Sequence, residues 1–476
     1  MANRVSEDAT ITLGSVRRRL LTGSAWVLAA RIAGLALGVV MNGLIARMLD
    51  PSGFGAFLLT STMVVIGSTV AKLGMDRAVV RFTASSLGVG EPAGAREAIR
   101  IAVGWASLGS AAVAAVLALG LGQWFFGSVL GEPLVASVVP IAAGWLFATA
   151  MQSVLAECFR GLSRFGYAAA LHMFATDFAT VGVLGAVYVT ARSVSLSNVV
   201  TIVTVVAMLV LAITGLLLLR TARSLRGPGH VGRSEMFAVA RPLMVTNLGI
   251  YLLGAGVDMW ILGAYEPTDQ VALYGAAAKL TVLVATPMII FSGVMPPLVA
   301  ELFAQGKIRK LERTLRSGAT LVGVPALAVL MLFVLAGPWV LGTVYEPYYR
   351  QAAPVLMIMS VSRLIAVWTG SCGIALMMTG HQKDMMRITL SSAALSVGGG
   401  LALAPHFGTI GVAVATASAQ VFQNVMQLLT AHRRLGIWTY VSFSPEILRD
   451  LIGRPPRPPG AAPAAQGSSP GEGGES

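Results

Sequence analysis

About twelve stretches of this chain are apolar on every side for roughly 20 residues or more, the length that spans a bilayer core. No other sequence feature limits the fold so tightly. They fall at 21–48, 54–74, 98–126, 134–157, 165–190, 196–219, 242–264, 270–300, 316–340, 351–379, 386–405 and 409–431. Membrane β-strands alternate in segments of about ten residues, whereas these runs are longer and lack alternation, so each is read as a helix. Composition agrees. Only 12% of the 476 residues are charged, 55% are in the set AVILMFWYC, and the mean hydropathy is +0.76. That leaves too little polar surface to coat a soluble body. Disordered and disulfide-stapled classes are excluded, and an all-α integral membrane protein remains.

Orientation follows from the cations, because cytoplasmic loops keep an excess of Lys and Arg. Of 34 such residues, 27 lie in alternate connections that include both chain ends. The opposite set holds only Arg47, Arg192 and Arg350, and Arg31, Lys72, Lys279 and Arg363 fall inside spans. Both termini are therefore read as cytoplasmic, with an even number of helices. The net charge of +13 sits in loops between spans, which gives no basic stripe for nucleic acid. Arg17–Arg19 precede the first span, but its length and Arg31 within it fit a retained helix and not a cleaved signal.

The longest polar interruption, near 220–241, divides the spans six and six. The expected organisation is a cytoplasmic segment over 1–20, an N-lobe over 21–220, a linker over 221–241, a C-lobe over 242–440, and an interfacial helix with a disordered cytoplasmic tail over 441–476. Ser444-Pro445-Glu446 supplies an N-cap with Pro at the first helical position, and RPPRPPGAAPAAQGSSPGEGGES offers almost nothing to bury. A weak internal repeat supports two pseudo-symmetric lobes. ARMLDPSGFGAF at 46–57 and GAYEPTDQVALY at 263–274 each join the first helix of a lobe to its second, in the manner of many transporters. Pro287 and Pro296-Pro297 are expected to kink the eighth span, and Gly34 and Gly38 permit close helix packing.

Catalytic patterns are missing. The sequence has neither a Walker A run nor a dinucleotide fingerprint, its five histidines are scattered, and Cys158 and Cys372 lie far apart in apolar surroundings. The outer connections are too short to hold donor and acceptor for a membrane glycan polymerase or ligase. No enzyme activity, catalytic residue, cofactor or metal site is expected, and movement of a substrate is the leading reading. For transport the informative residues are ions at membrane depth, which are costly and persist mainly beside a cavity or partner. Arg31, Asp177, Lys279 and Arg363 each lie about 14–18 Å into their helices at 1.5 Å per residue, and Asp258 lies nearer an outer end. Two readings stay open for each: a buried ion pair, such as Asp258 with Lys279 or Asp177 with Arg31, or a water-filled substrate cavity. Three cations against two carboxylates leave surplus positive charge, which suits an anionic group such as a pyrophosphate.

Several stretches carry a family resemblance. ARMLDPSGFGAFLL (46–59) is followed by LGMDRAVVRF (73–82), YYRQAAPVLMIMS (348–360), and LAPHFGTIGVAVATASAQVFQN (403–424) leading to RRLG (433–436). Together they resemble the polysaccharide-transport branch of the multidrug/oligosaccharidyl-lipid/polysaccharide (MOP) flippase superfamily, the bacterial Wzx-type flippases, over roughly 15–440. The resemblance implies about twelve transmembrane helices in two six-helix lobes around a central cationic cavity, in the bacterial cytoplasmic (inner) membrane. It implies movement of an undecaprenyl-pyrophosphate-linked oligosaccharide across that membrane by alternating access, for O-antigen, lipopolysaccharide or exopolysaccharide synthesis. Helices 1, 2, 7 and 8 would line the cavity, placing Arg31 and Lys279 there as substrate-binding residues with Arg363 beside them. Asp177 and Asp258 are the candidates for coupling or ion pairing. Membrane lipids are expected partners, together with a glycan polymerase and glycosyltransferases. The alternative is a cation-coupled multidrug exporter of the same superfamily, relying on Asp177 or Asp258.

Overall fold

In a computed structural model the protein is described over residues 33–191, 193–241, 256–293 and 295–442, together with Met244 and Ser444. The described residues are almost entirely helical, with no strand among them. In chain order the helices are α1 (Ala33–Met48), α2 (Pro51–Ala71), α3 (Met75–Gly88), α4 (Pro92–Val129), α5 (Pro133–Gly161), α6 (165–190), α7 (Leu196–Arg223) and α8 (233–241). They continue with α9 (Val257–Tyr265), α10 (Thr268–Ser292), α11 (Met295–Ala304), α12 (Ile308–Val344), α13 (Ala353–Trp368), α14 (Cys372–Met378) and α15 (Gln382–Leu435). Eight of the helical runs are long and apolar enough to cross a membrane.

Local sequence sets the boundaries. Pro51, Pro92 and Pro133 each open a helix, where the missing N–H costs nothing and φ is already helical. The Ser195 hydroxyl accepts the Asn198 N–H and caps α7. Within α15, Gly408 has φ 51° and breaks the helical path, a conformation that only glycine enters cheaply. The two arms fold back on each other. Ser392 Oγ donates to the Ala419 carbonyl at 2.7 Å, and Arg434 Nε meets Asp384 Oδ2 at 2.9 Å. The 54-residue run is thus two spans, as the hydropathy anticipates.

Two spans differ from expectation, and one helix is added. The eighth is broken after Ser292, and α11 begins at Met295. Pro296 and Pro297 explain the break, since neither has an N–H to give the carbonyls four residues back, at Ser292 and Gly293. The tenth stops at Trp368 and resumes at Cys372, where the chain at 439–441 lies alongside: Val441 N–H donates to the Trp368 carbonyl and Thr439 Oγ1 to that of Thr369. Between α2 and α4 the sequence carries an unanticipated amphipathic helix, α3, with Arg77 and Arg81 outward and Met75, Ala78, Val79 and Phe82 buried. Its counterpart in the C-terminal half is α11, between α10 and α12. Lys72 does not reach outward: it is 9% exposed, and Nζ sits 3.5 Å from Asp76 Oδ2. Arg31 and the expected interfacial helix and tail beyond Ser444 lie outside the described residues.

The buried core has a shape that matters for function. One large cluster joins both halves, bringing Phe54, Leu58 and Val139 together with Tyr274, Phe333, Tyr345 and Leu356. Toward the arginine-rich end it gives way to separate clusters. One is built only from residues 75–240, around Met75, Val154 and Phe159, and another only from residues 295–437, around Val299, Leu311 and Leu315. Among the described residues the halves are fused at one end and packed independently at the other.

Candidate functional site

The seam between the halves is the packing of α2 on α10, the two helices that begin within the internal repeat. A Cβ on Gly55 would stand 1.8 Å from the Thr268 carbonyl oxygen, so only glycine lets the backbones meet there. One turn farther, Leu58 lies against Gly275, and the Trp260 indole N–H donates to Thr62 Oγ1 at 2.8 Å. Polar and aromatic groups close the same end. Arg47 Nε donates to the Tyr345 carbonyl at 2.8 Å, and its guanidinium also reaches the Thr343 carbonyl, so a cation from α1 satisfies the C-terminus of α12. Phe54 packs edge-on against Tyr349 with centroids 5.8 Å apart, and Phe125 and Phe126 flank Trp260. Glu132, before α5, accepts a 2.8 Å hydrogen bond from Thr268 Oγ1. Burial pushes the Glu132 carboxyl above its ordinary value of 4.5.

Below this closure lie the ionisable residues that the sequence singles out. Asp258 occupies the first turn of α9. Its Oδ2 accepts a 2.6 Å hydrogen bond from the buried Tyr274 hydroxyl, and its Oδ1 accepts the Met259 N–H at 3.0 Å. The Tyr274 oxygen also lies 3.4 Å from the Thr416 hydroxyl of α15, so three helices converge on one carboxylate. Lys279 and Arg363 both feel the Asp258 charge, but no ion pair within 4.0 Å joins either of them to it. The Asp258 to Lys279 pair, one of the two readings left open by the sequence, is not formed, and Asp258 instead meets Tyr274.

Arg363 faces a hollow of about 470 Å³ between α10, α13, α14 and α15. Ser292, Ser371 and Asn424 supply polar edges and Met288, Met377 and Met385 soft apolar walls, while Arg363 is the one charged lining residue described. Its Nε is buried without a hydrogen-bond partner among the described residues. A guanidinium facing a hollow with no carboxylate among the described lining residues can receive an anion. Asp177 stands apart on α6, half-buried, with no hydrogen bond or ion pair among the described residues. Its neighbour Thr176 donates to Gln152 Oε1, and Gln152 in turn bonds the Ala207 carbonyl.

The structure therefore gathers Asp258, Lys279 and Arg363 in the C-terminal half and leaves Asp177 in the other. Sequence reasoning missed Tyr274, Glu132 and Arg47. Arg47 had a signal, being one of only three cations in the arginine-poor connections. Tyr274 and Glu132 had none, since their roles depend on partners 16 and 136 residues away.

Comparison with known proteins follows the same lines. A family model described as polysaccharide biosynthesis protein matches residues 20–303, and the MatE model matches residues 242–400. No curated protein matches the chain. Among solved structures, a multidrug resistance MATE family transporter of the MOP superfamily in an inward-facing conformation aligns with TM-score 0.71 at 16% identity, covering 86% of this chain and 94% of that one. The lipid II flippase MurJ, in an inward closed conformation, aligns with TM-score 0.64 at 12% identity, covering 84% and 86%. A MOP superfamily transporter from Pyrococcus furiosus, described as having a binding pocket of reverse polarity, aligns with TM-score 0.61 at 12% identity, covering 87% and 95%. At these identities the likeness shows the fold.

Proposed function

Because this chain belongs to the polysaccharide biosynthesis protein family, within the MOP superfamily of transporters and flippases, we propose that it translocates a lipid-linked oligosaccharide across the bacterial cytoplasmic membrane by alternating access. The cargo is an undecaprenyl-pyrophosphate-linked glycan destined for surface polysaccharide. The observation that carries this reading is the Arg363 guanidinium in a hollow with no described carboxylate. Pyrophosphate oxygens accept charge-assisted hydrogen bonds from guanidinium and ammonium groups, and Lys279, with Arg31 from helix 1, would add further cations on the same path. In this reading the halves serve as the N-lobe and C-lobe expected at 21–220 and 242–440. Their fused end faces outward and their separately packed end faces the cytoplasm, so the head group enters from inside while its prenyl tail stays in lipid.

The test is reconstitution. Purified protein in liposomes carrying a fluorescent undecaprenyl-pyrophosphate disaccharide is expected to expose the probe to an external quencher faster than protein-free liposomes do. Arg363→Ala and Lys279→Ala should each slow that rate. Unchanged rates in both variants would remove these residues from the mechanism, and an inactive wild type would remove the substrate.

A second reading, a cation-coupled multidrug exporter, draws on Asp258, whose carboxylate sits where three helices meet, and on the MatE match over that half. Dye efflux abolished by Asp258→Asn, with glycan export intact, would favour it.

A further inference from the structure

A second cavity lies away from the ionisable cluster, in the N-terminal half. Helices α4 and α7 flank α5 and leave a groove of about 730 Å³ along it. Its floor is Phe147, Met151 and Leu155, spaced four residues apart on one face of α5, and its walls are aliphatic side chains of α4 and α7. From Leu211 to Arg223 the α7 wall runs about 18 Å at 1.5 Å per residue, a length that accommodates an acyl chain. Gly104 faces this space, and a Cβ built there would meet no atom within 4 Å.

One end of the groove differs in kind. Arg96 and Arg100 lie in the first turns of α4 and Arg223 in the last turn of α7, so three guanidinium groups share one rim. Arg96 and Arg223 are exposed and make no hydrogen bond or ion pair among the described residues. Arg100 meets Glu97 at 3.1 Å, but the second Glu97 oxygen is engaged by His230 Nδ1 and the Val231 N–H. No carboxylate is among the described residues that line the groove, and the rim keeps a surplus of positive charge. A soluble anion would gain nothing from the long apolar walls, and an apolar partner helix would gain nothing from three arginines. An amphiphile with an anionic head and acyl chains uses both.

We propose that this groove is a binding site for an anionic phospholipid of the cytoplasmic leaflet, with its phosphate on Arg96, Arg100 and Arg223 and its chains along α5. Basic residues beside apolar intramembrane surface hold such lipids at the cytoplasmic face. The site lies apart from Arg363 and Lys279, so it concerns the membrane around the carrier and not the cargo.

The experiment uses the full chain in mixed micelles containing phosphatidylglycerol and phosphatidylcholine at equal amounts, with native mass spectrometry counting the lipid retained. The wild type should retain phosphatidylglycerol about tenfold over phosphatidylcholine. The double variant Arg96→Gln, Arg223→Gln should lose most of that preference while its phosphatidylcholine level stays constant. Gly104→Leu, which fills the groove and keeps every charge, should lower phosphatidylglycerol retention by itself and remains informative if the double variant does not fold. Equal retention of the two lipids by wild type overturns the proposal, as does unchanged phosphatidylglycerol binding in the variants. Displacement of phosphatidylglycerol by equimolar undecaprenyl pyrophosphate would also overturn it, because the groove would then belong to the cargo.

Discussion

The Glu132 carboxylate accepts its hydrogen bond from the Thr268 hydroxyl across the boundary between the two halves, at 2.8 Å and with both residues under 10% exposed. Glu132 precedes a helix of one half, and Thr268 opens the seam helix of the other. Any motion that parts the halves at this end breaks that bond.

Burial raises the Glu132 carboxyl above 4.5, which fixes a sign. The closed form holds the proton more tightly than the unfolded chain does, so the contribution of this group to stability is full below pH 4.5 and is lost as pH rises through the raised value. Thermal unfolding between pH 4 and pH 7 should show this decline for the wild type, and Glu132→Gln should flatten it. A parallel decline in the variant would remove Glu132 as the source.

Gly55→Ala places a methyl group 1.8 Å from the Thr268 carbonyl oxygen. The seam must open to accept it. Spin labels at Ser52 and Gln270 should move apart by several ångströms, and transport should fall about tenfold, equivalent to about 1.4 kcal/mol. Unaltered label distances would mean that the backbones yield locally instead.

Removing the Tyr274 hydroxyl leaves Asp258 without its 2.6 Å donor. Orphaning an acceptor at this half-buried position costs up to about 1–3 kcal/mol, so Tyr274→Phe should lower the melting temperature, and pairing it with Asp258→Asn should recover part of the loss. A loss in the double variant equal to the sum of the two single losses would show the groups to be independent.

Arg363→Lys keeps the charge and removes the planar fork. If the hollow receives phosphate oxygens bidentately, transport should fall by about tenfold or more, with charge alone rescuing little. Full activity in Arg363→Lys, beside an inactive Arg363→Ala, would assign the residue a purely coulombic role.

Much of this architecture was legible in the sequence because a bilayer admits few solutions. Apolar runs near 20 residues gave the spans, and the repeat around Asp50-Pro51 and Glu266-Pro267 marked the ends where α2 and α10 meet. The short helices α3 and α11 were not legible as separate elements: α3 is too brief and too polar to register as a membrane segment, and the ten-residue, largely apolar α11 ran on from the eighth span in the hydropathy. The break after Ser292 was foreshadowed by Pro296 and Pro297, although proline alone does not distinguish a kink from an interruption. At the site, Asp258, Lys279 and Arg363 stood out by their cost at membrane depth. Which carboxylate meets which donor is set by helix packing, and no one-dimensional pattern encodes it.

Phe54, Tyr345 and Tyr349 are almost wholly buried where the halves fuse, and that packing bears on economy in the cell. Swinging this end open would wet large aromatic faces, each worth about 1.5–3 kcal/mol. A carrier with nothing aboard gains nothing to offset such exposure, so idle cycling should be slow. On the proposed flippase function, turnover would then be set by the supply of finished glycan, and the membrane would be spared a protein that flickers open without a passenger.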